Sequence, residues 1–292
     1  MGIKQNPVIR YTEMIYSQPH LITQESFNAI SKYLQARNQG MLSIDDLDDF
    51  TGEDDDDNED QDNYDPELKI GVIKICGSLT NKPVMTMCGE VGASYESILD
   101  QAEELINYGA TDIILEVDSG GGEAFNCFAA ANQFREMMDE AGVKVTAYID
   151  GMACSAAYAW TCVADEVVAH PDADIGSIGV LIALMNNSEQ LKKEGIVRSF
   201  ISAGEDKVPF DDDGSFKESF LADLQYKVDY LYGNFVNHVA KYTSMSPDDI
   251  RKTQAKVFMA QDALKIGLIN QIMTEQEFTS YMVNNKKGAS DA

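Results

Sequence analysis

From residue 68 onward this chain of 292 residues alternates short β-rich apolar runs with helically spaced segments. That alternation restricts it to α/β folds with a largely parallel sheet. Residues 68–75 alternate as a strand. Residues 95–108 have helical periodicity through Ile98, Ala102 and Leu105. Residues 112–117 form a buried-strand run that ends in a glycine turn. Residues 124–141 read as a helix, 143–149 as a strand, 155–163 as a helix and 166–169 as a strand. A short helix over 187–194 and a strand over 196–201 follow. Residues 216–242 make a long amphipathic helix with Phe220, Leu224, Val228, Leu231 and Val239 on one face. It is expected to pack on the domain or on a neighbouring subunit.

A second feature divides the chain. Residues 45–67 hold 14 Asp and Glu and no Lys or Arg, and without them the formal charge falls from −27 to −13. Such a run repels itself and buries nothing, so it predicts a disordered linker. It lacks the Gly and terminal Glu spacing of a calcium-binding EF-hand loop. The expected organisation is an N-terminal interaction arm (1–44), the acidic linker (45–67), a catalytic α/β domain (68–275) and a C-terminal tail (276–292). Within the arm, residues 24–37 have helical spacing behind a cap at Thr23.

The net charge argues against nucleic acid or an anionic membrane as a partner. No apolar run approaches the ~20 residues of a membrane span. The N-terminus also lacks the apolar core of a secretory signal. The five cysteines are odd in number and show no CxxC spacing, which fits reduced thiols rather than disulfides or zinc. No metal and no cofactor is called for.

Ser155 is positioned to open a small-residue helix. There it would gain from the helix dipole, and the N–H of Ala156 would be free to bind an oxyanion. Taken alone, Ser155 is a helix cap. The tract Gly120-Gly121-Gly122 lets a backbone turn sharply and aim N–H groups into a cleft, although alone it is a plain tight turn. A serine nucleophile needs a base. His20 lies in the arm and His238 in the long helix, where a surface or packing role is the simpler one. His170 leaves a Ser155–His170–Asp triad open. Lys207, alone a surface charge, serves in the Ser-Lys variant of the triad. For that it must shed its charge near pH 7, at a cost of about 4–5 kcal/mol, and Glu205 and Asp206 must point away.

At this point the motifs carry a resemblance. Asp118-Ser-Gly-Gly-Gly-Glu-Ala124, Cys154-Ser-Ala-Ala-Tyr158, Gly176-Ser-Ile-Gly-Val180, Ser202-Ala-Gly-Glu-Asp-Lys207 and residues 257–268 resemble, in order, the motifs of the signal peptide peptidase A (protease IV) family. Within it the chain looks most like the phage-lambda-type head maturation proteases. The resemblance implies a ClpP/crotonase-like spiral of β-β-α units, homo-oligomeric assembly and peptide hydrolysis by a Ser-Lys dyad. It implies Ser155 as nucleophile, Lys207 as general base, the N–H groups of Gly122 and Ala156 as oxyanion hole, and Ser177 as support for the lysine. It also implies capsid scaffold, portal and other head proteins as substrates, inside procapsids in a host cytoplasm. Gly120 departs from the family's usual proline and Ala156 from its common glycine. The chain ends soon after the protease motifs, so any scaffold is expected to be a separate protein.

Two other readings stand beside this one. A crotonase-type acyl-CoA enzyme would need poised carboxylates, for which Glu123 and Asp150 are the candidates. A non-catalytic assembly protein would use the acidic linker and the long helix to bind capsid partners.

Overall fold

The computed structural model describes residues 18–38, 63–86, 89–90 and 92–290. The acidic stretch 45–62, and with it most of the expected linker, lies outside the described residues. The chain opens with β1 (His20–Ile22), α1 (Gln24–Asn38), β2 (Tyr64–Asp65), β3 (Ile70–Thr80) and a small hairpin of β4 (Met85–Thr86) and β5 (Gly89–Glu90). Next come β6 (Ala93–Ser94), α2 (Tyr95–Tyr108), β7 (Asp112–Glu123), α3 (Cys127–Ala141), β8 (Lys144–Cys154), α4 (Ala156–Thr161), β9 (Glu166–Ala169) and β10 (Asp174–Gly176). The remainder is α5 (Ser188–Lys193), α6 (Glu218–Tyr242), α7 (Pro247–Lys252), β11 (Val257–Met259), α8 (Ala260–Ile266), β12 (Gln271–Ile272) and α9 (Glu275–Ser290).

The result is a mixed α/β fold with a mainly parallel sheet. β3, β7 and β8 run parallel at its centre, and β9 and β10 both pair parallel with β8. Antiparallel β2 and β11 lie at the ends of the strand order. On one face Ile113, Leu115 and Val117 of β7 are fully buried in a core completed by Ile98 and Leu105 of α2 and Phe134 and Met138 of α3. On the other face Tyr148 and Val168 pack with Phe278 and Met282 of α9, and the Tyr148 and Phe278 rings stack 4.4 Å apart. Local signals account for the well-read elements. Ser94 caps α2 by accepting from the Ser97 N–H at 3.1 Å, and Gly109 ends that helix in the left-handed region at φ 88°.

Three expectations require correction. The glycine tract is not a turn after β7 but its last third, paired with neighbouring strands on both edges. The strand read over 143–149 does not stop there but runs on as β8 to Cys154, directly before Ser155. Residues 196–201 form no strand; they lack regular structure and are exposed. Their β-rich composition finds no strand edge to pair with, and propensity without a ladder partner does not make a strand.

α4 is buried along its whole length, since its alanines let other segments approach closely. Trp160 stacks on Tyr95 at 5.6 Å, and the Tyr158 hydroxyl donates to the Leu268 carbonyl at 2.8 Å. His238 of α6 sits against the Phe128 and Tyr242 rings, and its Nε2–H donates to the Ala159 carbonyl at 2.9 Å. Burial, with a smaller push from Lys241, lowers its pKa to about 4, against the hydrogen bond to Ala159. Of the surface and packing roles open to this histidine, the structure shows packing.

A neutral histidine in the fold and a free one near 6.5 in the unfolded chain give a signed prediction. Its contribution is complete above about pH 6.5 and is lost as pH falls toward 4, by about 3 kcal/mol in all. Denaturant unfolding of the parent and His238→Gln should therefore diverge from pH 7 to pH 4, with the flatter profile in the variant. Parallel profiles across that window would contradict a neutral, buried His238.

Candidate active site

Ser155 occupies the junction between β8 and α4, with φ 57° and ψ −118°, and it is almost fully buried. A non-glycine residue in that region is strained, at a cost on the order of 1–3 kcal/mol. Its side chain caps nothing, so the cap reading of Ser155 fails. Strain at a strand-to-helix turn is the geometry that lifts a nucleophile out of its own backbone. The surroundings hold it there. The Ser155 N–H donates to the Gly176 carbonyl at 2.8 Å, and Oγ donates to the Gly179 carbonyl at 3.4 Å. Both acceptors belong to the Gly-Ser-Ile-Gly segment, where Ser177 is also left-handed at φ 50° and donates its N–H to the Lys256 carbonyl at 2.9 Å.

The glycine tract reaches Ser155 from β7. Gly121 has φ 100°, and a Cβ on it would lie 2.9 Å from the Cys154 carbonyl oxygen and 3.0 Å from the Ala156 nitrogen. Only glycine fits such a wedge. The preceding residues brace it. The Ser119 hydroxyl donates to the Gly77 carbonyl at 2.5 Å and accepts from the Gly121 N–H at 3.1 Å. The Asp118 carboxylate accepts from the Met152 N–H at 3.0 Å, tying β7 to β8 just before the serine. Ala156 is the first residue of α4, whose leading N–H groups have no partner inside the helix. Gly122 is the register partner of both Leu79 and Leu21. The structure therefore brings Ser155, Ala156, the glycine tract and the Gly-Ser-Ile-Gly segment together.

Lys207 is exposed. It ends a 3-10 turn (Glu205–Lys207), and among the described residues no hydrogen bond joins it to Ser155 or Ser177. The burial that a neutral lysine requires is not met within the single chain. His170 has other partners. Its N–H donates to the Ile149 carbonyl, and its Nδ1 accepts from the Asp172 N–H at 3.2 Å. Among the described residues no hydrogen bond joins His170 to Ser155, and β8 bulges between Ile149 and Ala153 on the way to the serine. The Glu123 carboxylate is spent on the Asn81 N–H at 2.8 Å, and Asp150 is exposed.

Gly176, Gly179, Asp118 and Ser119 were missed as site residues in the sequence. The signal that exposes them is main-chain: the partners of Ser155 and the crowding at Gly121. Cys127, packed behind the site, has its thiol pushed up to about 12 by burial, and no disulfide joins the described cysteines.

Residues 137–288 match Peptidase family S49. The chain is 28% identical over 207 residues to a protein named probable protease SohB from Haemophilus influenzae, covering 70% of this chain and 58% of that one. It is 26% identical over 218 residues to the head-tail preconnector protein GP5 of Enterobacteria phage P21, covering 73% and 42%. It is 25% identical over 215 residues to the capsid assembly protease C of Escherichia phage lambda, covering 73% and 48%. The chain thus spans about half the length of the relatives it matches.

The strain at Ser155 has a measurable signature. Ser155→Gly should be more stable than Ser155→Ala by about 1 kcal/mol in denaturant unfolding, because glycine accepts φ 57° and alanine does not. Equal stabilities would mean that the serine backbone is unstrained.

Proposed function

The chain belongs to peptidase family S49, and from that premise we propose that it is a serine endopeptidase working through Ser155 and Lys207. The observation that carries this reading is the convergence of a strained, buried serine with the Ala156 amide and the glycine tract. In the proposed reaction neutral Lys207 takes the Ser155 proton as Oγ attacks the scissile carbonyl. The Gly122 and Ala156 N–H groups hold the resulting oxyanion, each contributing about 3 kcal/mol. The tetrahedral intermediate collapses to an acyl-enzyme with loss of the amine. Water, deprotonated by the lysine, then releases the acid. Ser177 steadies the lysine in the productive pose. No metal or cofactor takes part, and residues 68–275 form a ClpP/crotonase-like spiral, to which β1 of the N-terminal segment and α9 of the C-terminal segment add their packing.

Substrates follow from the relatives. The names head-tail preconnector and capsid assembly protease support a role in phage head maturation, with scaffold, portal or other head proteins as substrates and procapsids as the location. Among the described residues no helix is long and apolar enough to cross a membrane. Head proteins co-expressed with Ser155→Ala, Lys207→Ala or His170→Ala chains discriminate the mechanisms. The first two should lose at least 99% of cleavage and the third should keep most of it. Full activity in Lys207→Ala with loss in His170→Ala would replace the dyad by a triad.

The exposed lysine points to a homo-oligomer. Ile196, Val197, Phe200 and Ile201 precede the Lys207 turn and are all exposed, Val197 at 89%. Leu221, Tyr226 and Tyr230 expose the first half of α6 as well. Apolar exposure on that scale marks an interface. Covering this face with a second copy would exclude water from the lysine and remove its charge. Val197→Glu with Ile201→Glu should sediment as a monomer and lose cleavage, with its circular dichroism intact. An unchanged assembly would contradict this use of the face.

A further inference from the structure

β1 enters the sheet from a distant part of the chain, and it runs antiparallel where the strands around it run parallel. His20, Leu21 and Ile22 pair with Glu123, Gly122 and Gly121, and the Thr23 N–H donates to the Gly120 carbonyl at 3.0 Å. On the other edge His20 exchanges two main-chain hydrogen bonds with Leu181, at 2.8 and 3.0 Å. This three-residue strand therefore fills the slot between the glycine tract and the segment that follows Gly179, the two edges that border Ser155. Since His20 turns its main-chain groups to Leu181, strand alternation turns those of Leu21 toward Gly122. The Leu21 carbonyl oxygen lies against Gly121, where a Cβ would be 2.1 Å from it and 3.0 Å from the Ala156 nitrogen. On the proposed function, a scissile carbonyl would lie there, beside the Gly122 and Ala156 N–H groups. The Leu21 side chain is fully buried.

The strand is held, not merely laid there. The Thr23 carbonyl accepts from the Phe27 N–H at 3.0 Å, and its hydroxyl accepts from the Ser26 N–H at 3.2 Å, so α1 begins at once. Any side chain at Gly120 would collide with Ser26, because a Cβ there would be 2.3 Å from the Ser26 hydroxyl. A protease needs extended chain on both sides of the bond it cuts. Here the side after Ile22 is wound into a helix, which protects the strand from cleavage.

We propose that His20–Ile22 is a pseudosubstrate strand, which fills the peptide groove of Ser155 in the resting chain and leaves it when another peptide enters. The groove is thereby assigned a ligand: an extended peptide, added antiparallel to β7, with an apolar side chain in the place of Leu21. The assignment of Ser155 as the nucleophile rests on the proposed function; occupancy of the groove does not.

Two variants and two readouts separate those claims. Leu21→Glu expels the strand. His20→Cys with Leu181→Cys, oxidised by diamide, locks it across the hydrogen-bonded pair. In chains that also carry Ser155→Ala, a fluorescein-labelled peptide Pro-His-Leu-Ile-Thr should bind the Leu21→Glu form at least tenfold more tightly than the parent. It should not bind the locked form, and reduction should restore parent-level binding. With Ser155 present, a fluorophosphonate should label it at least tenfold faster in Leu21→Glu, and the lock should stop labelling until reduced. Equal peptide binding by parent, Leu21→Glu and locked chains overturns the proposal, and so does a folded Leu21→Glu chain that binds no peptide. Should Leu21→Glu fail to fold, locked against reduced binding decides alone. Peptide binding that obeys the lock while Ser155 never reacts would uphold the pseudosubstrate strand and sink the nucleophile.

Discussion

At Gly121 three main-chain groups crowd onto one Cα: the Leu21 carbonyl, the Cys154 carbonyl and the Ala156 amide. No side chain can enter there, so the end of β7, the end of β8 and the start of α4 are held at backbone distance. That close approach fixes the position of Ser155 and leaves its φ in the left-handed region. The brace behind it is polar and local: Ser119 to Gly77, and Asp118 to the Met152 N–H. The brace above it is the Gly-Ser-Ile-Gly segment, which receives both the N–H and the hydroxyl of the serine. Removing any of the three would relax the strain that sets the hydroxyl apart from an ordinary helix cap.

The core around this wedge explains why strain is tolerated. Trp160, Tyr158 and His238 fasten α4 through ring stacking and two hydrogen bonds to buried carbonyls. A helix of six small and aromatic residues would have little stability by itself. Packed on every side, it is rigid enough to hold one residue in an unfavourable backbone well.

Much of this was legible in the sequence, for local reasons. α2 follows from a Ser cap, a four-residue apolar stripe and a terminal glycine, all within one segment. The strand over 166–169 and the helix that opens at Ser155 follow from apolar runs next to small residues. What could not be read is non-local. The glycine tract looks like a turn until its partners on both edges are known. Residues 196–201 have strand composition and no strand to join. The pairing of His20–Ile22 with Gly121–Glu123 spans about a hundred residues of sequence, and nothing in either segment announces the other. Lys207 is the remaining gap. Its motif names it, yet a single chain leaves it in water, and the base proposed for it would need a covering surface that sequence patterning does not supply.

The central claim is that Ser155 forms a covalent acyl intermediate, and direct trapping tests it. A peptide ester would be mixed with the Leu21→Glu chain, quenched in acid within seconds and digested for tandem mass spectrometry. The account predicts the acyl group on Ser155, and its disappearance when Lys207 is replaced by alanine. An acyl group on another residue, or none while the ester is turned over, would contradict it.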